Sequence, residues 1–140
     1  LPLQEVRIFL DATILFSGAL PRSRMRAFLD FMCRECECIT NLYAVEEARR
    51  NLERKFPAAL RQLEPLVKKC ELIPAVKTDL KVKLALKDLP ILGGAVAGQA
   101  KYLLTGDEKD FGKFFGDTIA GVKVVSPKML AQELTELGLH

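Results

Sequence analysis

The chain has 140 residues, of which 49% are hydrophobic and 28% charged, a composition that fits one domain with one buried core. It has no apolar stretch of the roughly 18 residues that a membrane-spanning helix needs, and residues 1–5 do not resemble a secretory signal. We therefore expect a single domain over residues 1–140, cytoplasmic and not membrane-bound. The net charge of +3 does not decide for or against a nucleic-acid partner, although the basic excess lies entirely in residues 1–70.

Short apolar runs alternate with helical patterns along the first half of the chain. The β-rich run at residues 6–10 predicts a buried first strand that ends at Asp11. Apolar residues spaced three and four apart predict amphipathic helices further on, and Pro57 favours a helix start. The further predicted elements are helices over residues 22–36, 43–56 and from Pro57 onward, and strands at residues 38–40 and 72–73.

The same alternation continues to the end of the chain. The predicted elements are helices over residues 77–86, 91–100 and 127–137, and strands at residues 102–104 and 122–125. Strands that alternate with helices predict a three-layer α/β/α fold with a central parallel sheet of about five strands. In such folds the active crevice lies beyond the carboxyl ends of the strands, so acids that follow strands are the informative residues.

Two acids occupy such positions, and a third lies at a helix start. Asp11 directly follows the first strand, Asp107 follows the strand at residues 102–104, and Asp88 begins the helix before that strand. Taken singly, Asp88 is explained by helix capping and Asp107 by a turn. Taken together, carboxylates at one crevice repel each other unless a cation lies between them, which favours a metal site.

Three segments resemble motifs of the PIN-domain family, in particular its VapC-like ribonucleases. Residues 9–15 (FLDATIL) resemble the first motif, residues 88–95 (DLPILGGA) the third, and residues 103–107 (LLTGD), with Asp110 and Phe111 after them, the fourth. The resemblance extends from Val6 to about Leu134. It implies a metal-dependent endoribonuclease, often the toxin of a toxin–antitoxin pair. The implied partners are RNA, an antitoxin protein and a second copy of the chain.

The second motif of the family is a Glu on the helix after the second strand, here Glu46 or Glu47. Both lie off the apolar stripe of the predicted helix, so the helical pattern does not choose between them. The family pattern, a small residue next and a Leu five positions on, favours Glu47 because Ala48 and Leu52 follow it. Ion pairs of both Glu residues with neighbouring Arg residues remain an alternative.

The sequence departs from the family pattern at two places. Thr13 stands where the family usually has Asn, although its hydroxyl can still donate a hydrogen bond to a carboxylate. Glu108 and Lys109 precede Asp110, which makes Asp110 a weaker site candidate than Asp107.

The resemblance assigns the chemistry to four acids and one divalent cation. Asp11, Asp88 and Asp107 would hold Mg²⁺ or Mn²⁺ directly or through water, and Glu47 would ligate the ion or orient the attacking water. Thr105 would hydrogen-bond a carboxylate. Candidate contacts to the RNA backbone are Arg22, Arg24, Arg26, Arg49, Arg50, Arg54 and Lys55.

Three other protein classes share parts of this pattern. A haloacid-dehalogenase-like phosphatase needs a second Asp two residues after Asp11, where this sequence has Thr13. A response-regulator receiver needs a phosphorylatable Asp at the end of a middle strand, and residues 72–74 provide none. A catalytically weak PIN-like module that binds RNA or protein stays open. Metal-dependent RNA cleavage that EDTA abolishes would discriminate against it.

The four cysteines do not form a zinc motif. Cys33, Cys36 and Cys38 are clustered, whereas Cys70 is the only other thiol and His140 the only histidine. Structural zinc normally takes four ligands, commonly as two spaced pairs. We therefore expect reduced thiols without a structural metal.

Overall fold

The computed structural model describes residues 2–74 and 88–138, which form a six-stranded sheet with helices on both faces. The strands are β1 (Arg7–Leu10), β2 (Glu37–Thr40), β3 (Glu71–Leu72), β4 (Tyr102–Leu104), β5 (Thr118–Ile119) and β6 (Val122–Val125). The α-helices of these residues are α1 (Ala12–Ala19), α2 (Arg24–Glu35), α3 (Leu42–Lys55), α4 (Leu63–Val67), α5 (Leu89–Ala97), α6 (Glu108–Phe111) and α7 (Pro127–Glu136). Short 3₁₀ turns lie at Leu3–Glu5, Pro57–Gln62 and Gly112–Phe114.

The strand order is β3-β2-β1-β4-β6-β5, and every neighbouring pair is parallel except β5 with β6. The predicted α/β fold with a central parallel sheet is thus confirmed, with the short antiparallel β5 as an added edge strand. A two-residue turn joins β5 to β6, with φ of 49° at Ala120 and 87° at Gly121. Two positive φ angles are what a type I′ hairpin turn requires.

Both faces of the sheet are covered by helices. Helix α5 packs on the face to which Phe9 points, because Gly94 of α5 lies against the Phe9 ring. Helix α7 covers the opposite face, where Glu133 accepts hydrogen bonds from Tyr102 and Lys123. Side chains alternate between faces along a strand, so the buried residues Ile8, Phe9 and Leu10 of β1 fill the core on both sides. Nowhere in residues 2–74 and 88–138 is a helix both long and apolar enough to cross a membrane.

The predicted elements agree with the described ones, with shifted bounds. The helices predicted over residues 22–36 and 43–56 are α2 and α3, and the segment from Pro57 is a 3₁₀ turn followed by α4. Helix α5 begins two residues before the predicted start because its first turn tolerates Pro90. The helix predicted over residues 77–86 lies outside the described residues.

Helix α1 has no counterpart in the sequence prediction. Five of its eight residues are buried, so it has no wide polar face from which a helical period could be read.

The strand order places a topological switch between β1 and β4. From β1 the chain continues to β2 and β3 on one side, and β4 and β6 lie on the other. The crevice beyond the carboxyl ends of β1 and β4 is therefore the expected site in this class of fold. Asp11 follows β1 there, and Thr105 and Asp107 follow β4.

Candidate active site

Asp11 is a buried carboxylate at the junction of β1 and α1. It is 4% exposed, and it caps α1 by accepting a hydrogen bond from the Ala12 amide at 2.6 Å. Its Oδ2 accepts hydrogen bonds from the hydroxyls of Thr105 at 2.6 Å and Thr13 at 3.1 Å. Burial raises the pKa of Asp11 above its ordinary value, and the nearby Asp107 carboxylate raises it further, although the three hydrogen bonds oppose both effects. A cation at the site would favour the ionised form.

Two threonines join Asp11 to the loop that carries Asp107. Thr105 donates to Asp11 and its hydroxyl oxygen accepts from the Asp107 amide at 3.0 Å. Thr13 also donates to Asp11 and accepts from the Gly106 amide at 3.0 Å. The hydrogen bond expected from Thr105 to a carboxylate is therefore present. Thr13, where the family usually has Asn, makes an equivalent link to the same loop.

Three carboxylates approach one another beyond this loop. Asp88, Asp107 and Asp110 each have an oxygen within 4.8 Å of the others. Asp88 is 4% exposed and the other two are half-buried. In the described part of the chain, this group includes two of the four predicted acids, adds Asp110, and does not include Asp11 or Glu47.

Asp110, which the sequence ranked below Asp107 as a site candidate, lies in this group of carboxylates. Asp107 caps the short helix α6, and its Oδ1 accepts a hydrogen bond from the Asp110 amide at 3.0 Å. Residues three apart on a helix lie on one face, so the inserted Glu108 and Lys109 bring Asp110 back to the side of Asp107. The sequence feature that could have indicated Asp110 is the spacing of two aspartates three positions apart at a helix start.

Asp88 precedes α5, yet its carboxylate makes no capping hydrogen bond to that described helix. Helix capping, the alternative considered for this residue, thus does not account for its burial. The start of α5 is held instead by Asn41, whose Nδ2 donates to the Pro90 carbonyl at 3.1 Å. The Asn41 Oδ1 caps α3 by accepting from Ala44 at 3.0 Å. One side chain therefore links the first turns of the two helices.

Gly94→Ala is expected to destabilise the protein by about 1–3 kcal/mol and to displace Asp88. A Cβ at Gly94 would lie 2.4 Å from the Asn41 Nδ2 and 2.9 Å from the Phe9 ring. The matched control is Gly112→Ala, where the nearest atom is 3.8 Å away and the backbone is right-handed helical. Urea unfolding of both variants measures the effect, and equal stabilities would contradict the close packing of α5 on Asn41.

Glu46 and Glu47 lie in different surroundings on α3. Glu46 is exposed and pairs with Arg49 at 3.5 Å, the ion pair that the helical spacing allowed. Glu47 is half-buried. The preference for Glu47 as the fourth acid remains a prediction.

The candidate basic residues lie on the surface around α2 and α3, and several have protein contacts. Arg26 donates to the Gln62 side chain at 2.9 Å, and Arg54 donates to Asn51 at 2.9 Å. The Lys55 ammonium lies 5.9 Å from the centre of the Phe16 ring. Arg22, Arg24 and Arg50 are exposed.

The donor set suits a hard divalent cation. Carboxylate oxygens are the ligands that Mg²⁺ and Mn²⁺ prefer, and three of them lie within one ion's reach at Asp88, Asp107 and Asp110. Asp11, held through Thr105 beside Asp107, adds negative charge to the same crevice. The arrangement can therefore hold a divalent cation.

Comparison with known proteins agrees with this geometry. The family model of the PIN domain matches residues 7–109, which contain Asp11, Glu47, Asp88 and Asp107. A structure of VapBC2 from Rickettsia felis, bound to a DNA fragment from its promoter, matches with a TM-score of 0.65 and 14% sequence identity, covering 86% of this chain and 98% of that chain. At that identity the likeness concerns the fold alone. None of the curated proteins matches the chain. The resemblance of the three sequence motifs is confirmed, and the chain belongs to the PIN-domain family.

Proposed function

We propose that the protein is a metal-dependent endoribonuclease that hydrolyses RNA phosphodiester bonds with Mg²⁺ or Mn²⁺. The observation that carries the proposal is the approach of Asp88, Asp107 and Asp110 to within 4.8 Å of one another. Carboxylates at this separation repel, and a divalent cation with oxygen ligands relieves the repulsion. The position beyond β1 and β4, at the topological switch, is where ligands bind in such sheets.

Each acid has a distinct part in this proposal. Asp88, Asp107 and Asp110 hold the cation, and Asp11 fixes the Asp107 loop through Thr13 and Thr105. A bound divalent cation neutralises charge on the scissile phosphate and lowers the pKa of a water. Glu47 ligates the ion or orients that water. The only histidine in the sequence is His140, so a mechanism based on paired histidines has no support.

We further propose that the chain acts in the cytoplasm as the toxin of a toxin–antitoxin pair, with an antitoxin protein and a second copy of itself as partners. The support is its membership of the PIN-domain family and the likeness of its fold to a VapBC2 structure.

Cleavage of a labelled single-stranded RNA tests the nuclease function. We expect cleavage in Mg²⁺ or Mn²⁺, none in EDTA, and none with Asp88→Asn. Asp117→Asn, which changes an exposed loop acid, is the control and should cleave like the wild type. Activity that survives both EDTA and Asp88→Asn would reject the metal mechanism. RNA binding without cleavage under any of these conditions would favour the binding-module alternative.

Glu47→Gln is expected to slow cleavage by at least about tenfold, whereas Glu46→Gln should leave it nearly unchanged. The reason is that Glu46 is exposed and paired with Arg49, while Glu47 is half-buried on the same helix. Single-turnover rates of the two variants, measured side by side, make the comparison. The reverse ranking would move the fourth acid to Glu46.

RNA binding by the inactive Asp88→Asn variant should weaken steeply with salt and depend little on base sequence. Arg24 on α2 and Arg50 on α3 are exposed cations, so they are expected to bind phosphates. Adding Arg24→Ala or Arg50→Ala should reduce the slope of log K against log salt concentration by roughly 0.7 for each phosphate that is no longer neutralised. Lys128→Ala on α7 is the control and should leave this slope unchanged. A response to salt that is flat from the outset would exclude phosphate binding by these residues.

A further inference from the structure

Two phenylalanines from different helices form a pair on the protein surface. Phe16 lies on α1 and Phe56 directly follows α3, and their ring centres are 5.9 Å apart with the ring planes tilted by 53°. Tilted rings at this separation attract each other, so Phe16 holds the ring of Phe56 in place. Phe56 is also the one exposed aromatic residue of residues 2–74 and 88–138, at 49%. The pair therefore presents a fixed aromatic surface to solvent.

The backbone also fixes the position of Phe56. Its amide donates a hydrogen bond to the Leu52 carbonyl at 2.8 Å, and Pro57 after it disfavours helical backbone at Phe56, which ends α3 there. Single exposed apolar residues are common, and Leu42 and Leu72 are further examples in the described part of the chain. The phenylalanine pair differs from these two leucines in its charged neighbours and in its place beside the candidate active site.

Two cations directly precede Phe56 in the chain. The Lys55 ammonium lies 5.9 Å from the centre of the Phe16 ring, within the range of a cation–π contact. Arg54 is exposed and donates a hydrogen bond to the Asn51 side chain at 2.9 Å. Exposed rings with cations beside them match a ligand that carries both flat aromatic groups and negative charge. A single strand of nucleic acid is such a ligand, because its bases stack on rings and its phosphates bind cations.

One face of α1 leads from the candidate active site to the ring pair. The residues of α1 that are not buried are Thr13, Phe16 and Ser17, and their spacing of three and four places them on one face. Thr13 donates a hydrogen bond to Asp11 and accepts one from the Gly106 amide. Phe16 is therefore one turn along α1, about 4.5 Å of helix rise, from a side chain that contacts the acids.

The face of α3 that carries the predicted Glu47 leads to the same place. Glu47, Asn51 and Arg54 are spaced by four and three residues, so they lie on one face of that helix. Phe56 follows Glu47 by nine residues, about 14 Å at the rise of an α-helix. At roughly 3.4 Å per stacked nucleotide, two to four nucleotides span the distances along the two helices. The ring pair thus lies within a few nucleotides of the acids.

We propose that Phe16 and Phe56 form a base-stacking subsite for single-stranded RNA. An unpaired base a few nucleotides from the scissile phosphate packs against the exposed ring of Phe56, and Lys55 and Arg54 bind the phosphates next to it. This assignment rests on the proposed nuclease function and makes its substrate class single-stranded RNA. Every base has an aromatic face, so the subsite selects unpaired strands and not a particular sequence. Duplex RNA does not enter it, because the bases of a duplex are already paired and stacked.

Tryptophan fluorescence tests the subsite without cleavage. The chain has no tryptophan, so Phe56→Trp introduces the only one and keeps an aromatic ring at this position. In EDTA, an unstructured single-stranded RNA of about ten nucleotides should quench its emission, and a duplex of the same sequence should quench it much less. Phe31→Trp is the matched control, because Arg34 lies 5.9 Å from the half-buried Phe31 ring. Phe31 is near the end of α2, which precedes the start of β2 at the opposite edge of the sheet from the acids, so its emission should not change.

Affinities for the same RNA in EDTA separate stacking from a general apolar contact. Phe56→Leu keeps an apolar side chain but removes the ring, and it should weaken binding of the single strand at least about fivefold. Its effect on duplex binding should be less than about twofold. Phe31→Leu should change neither affinity. Lys55→Ala should reduce the slope of log K against log salt concentration by roughly 0.7.

The subsite and the nuclease function fail on different measurements. If the wild type did not bind the single strand, or bound it no better than Phe56→Leu, the subsite would be overturned even if the wild type cleaved RNA in Mn²⁺. Emission of Phe56→Trp that changed with protein concentration in the absence of RNA would assign the rings to contact between copies of the chain, and would also overturn it. A fivefold loss in Phe56→Leu together with no cleavage by the wild type would support the subsite and reject the nuclease function.

Discussion

Asp11→Asn is expected to lower RNA cleavage in saturating Mn²⁺ by roughly 10–100-fold while the protein stays folded. The variant removes a negative charge from beside Asp107 but keeps the shape of the side chain. Its remaining oxygen can still cap α1 at the Ala12 amide, as Asn does well at helix starts. The loss is therefore expected in the chemistry and not in the fold.

Stability should change little in this variant because two effects oppose each other. Removing the buried charge relieves the desolvation that raises the pKa of Asp11. Losing the acceptor that faces Thr13 and Thr105 costs about 1 kcal/mol for each hydrogen bond weakened. Cleavage rates and thermal melts of Asp11→Asn, with Asp117→Asn as the control, measure both properties. Wild-type cleavage by a folded Asp11→Asn protein would remove Asp11 from the mechanism.

Mn²⁺ or Mg²⁺ is expected to raise the melting temperature of the wild-type protein. An ion that binds only the folded state stabilises it by about 2.7 kcal/mol at a concentration of 100 Kd. For a chain of this size that is on the order of 5–10 °C. Three carboxylates within 4.8 Å of one another provide the site, and their mutual repulsion, about 1 kcal/mol per close pair after screening, is what the ion relieves.

Asp107→Asn should make the metal-free protein more stable than the wild type and should reduce the stabilisation by metal. Asn caps a helix as well as Asp does, so the hydrogen bond from the Asp110 amide is kept while one charge of the group is removed. Melts of wild type, Asp107→Asn and Asp117→Asn, each in EDTA and in Mn²⁺, separate the two effects. If metal left every melting temperature unchanged and Asp107→Asn destabilised the apo protein, the acids would not form a shared cation site.

Local patterns in the sequence were sufficient for the architecture and the family. Short apolar runs that alternate with amphipathic stretches predict a parallel sheet, because buried strands and half-buried helices have different periods. The motifs around Asp11, Asp88 and Asp107 carried the family resemblance. The position of Asp11 directly after one predicted strand, and of Asp107 after a short turn that follows another, was enough to place both at one edge of the sheet.

Contacts between distant segments were decided only by the tertiary structure. Helix α1 was not predicted because its burial comes from packing against α2, α3 and α4 and leaves no polar face in the sequence. Asp110 lies near Asp88 because Asp107 caps α6 and the first turn of that helix brings Asp110 to the side of Asp107. The presence of an aspartate at position 110 does not by itself predict this geometry. Residue types and the spacing of apolar residues are local properties of one segment. The distance between two side chains depends on strand order and helix packing, and these are determined by the whole chain.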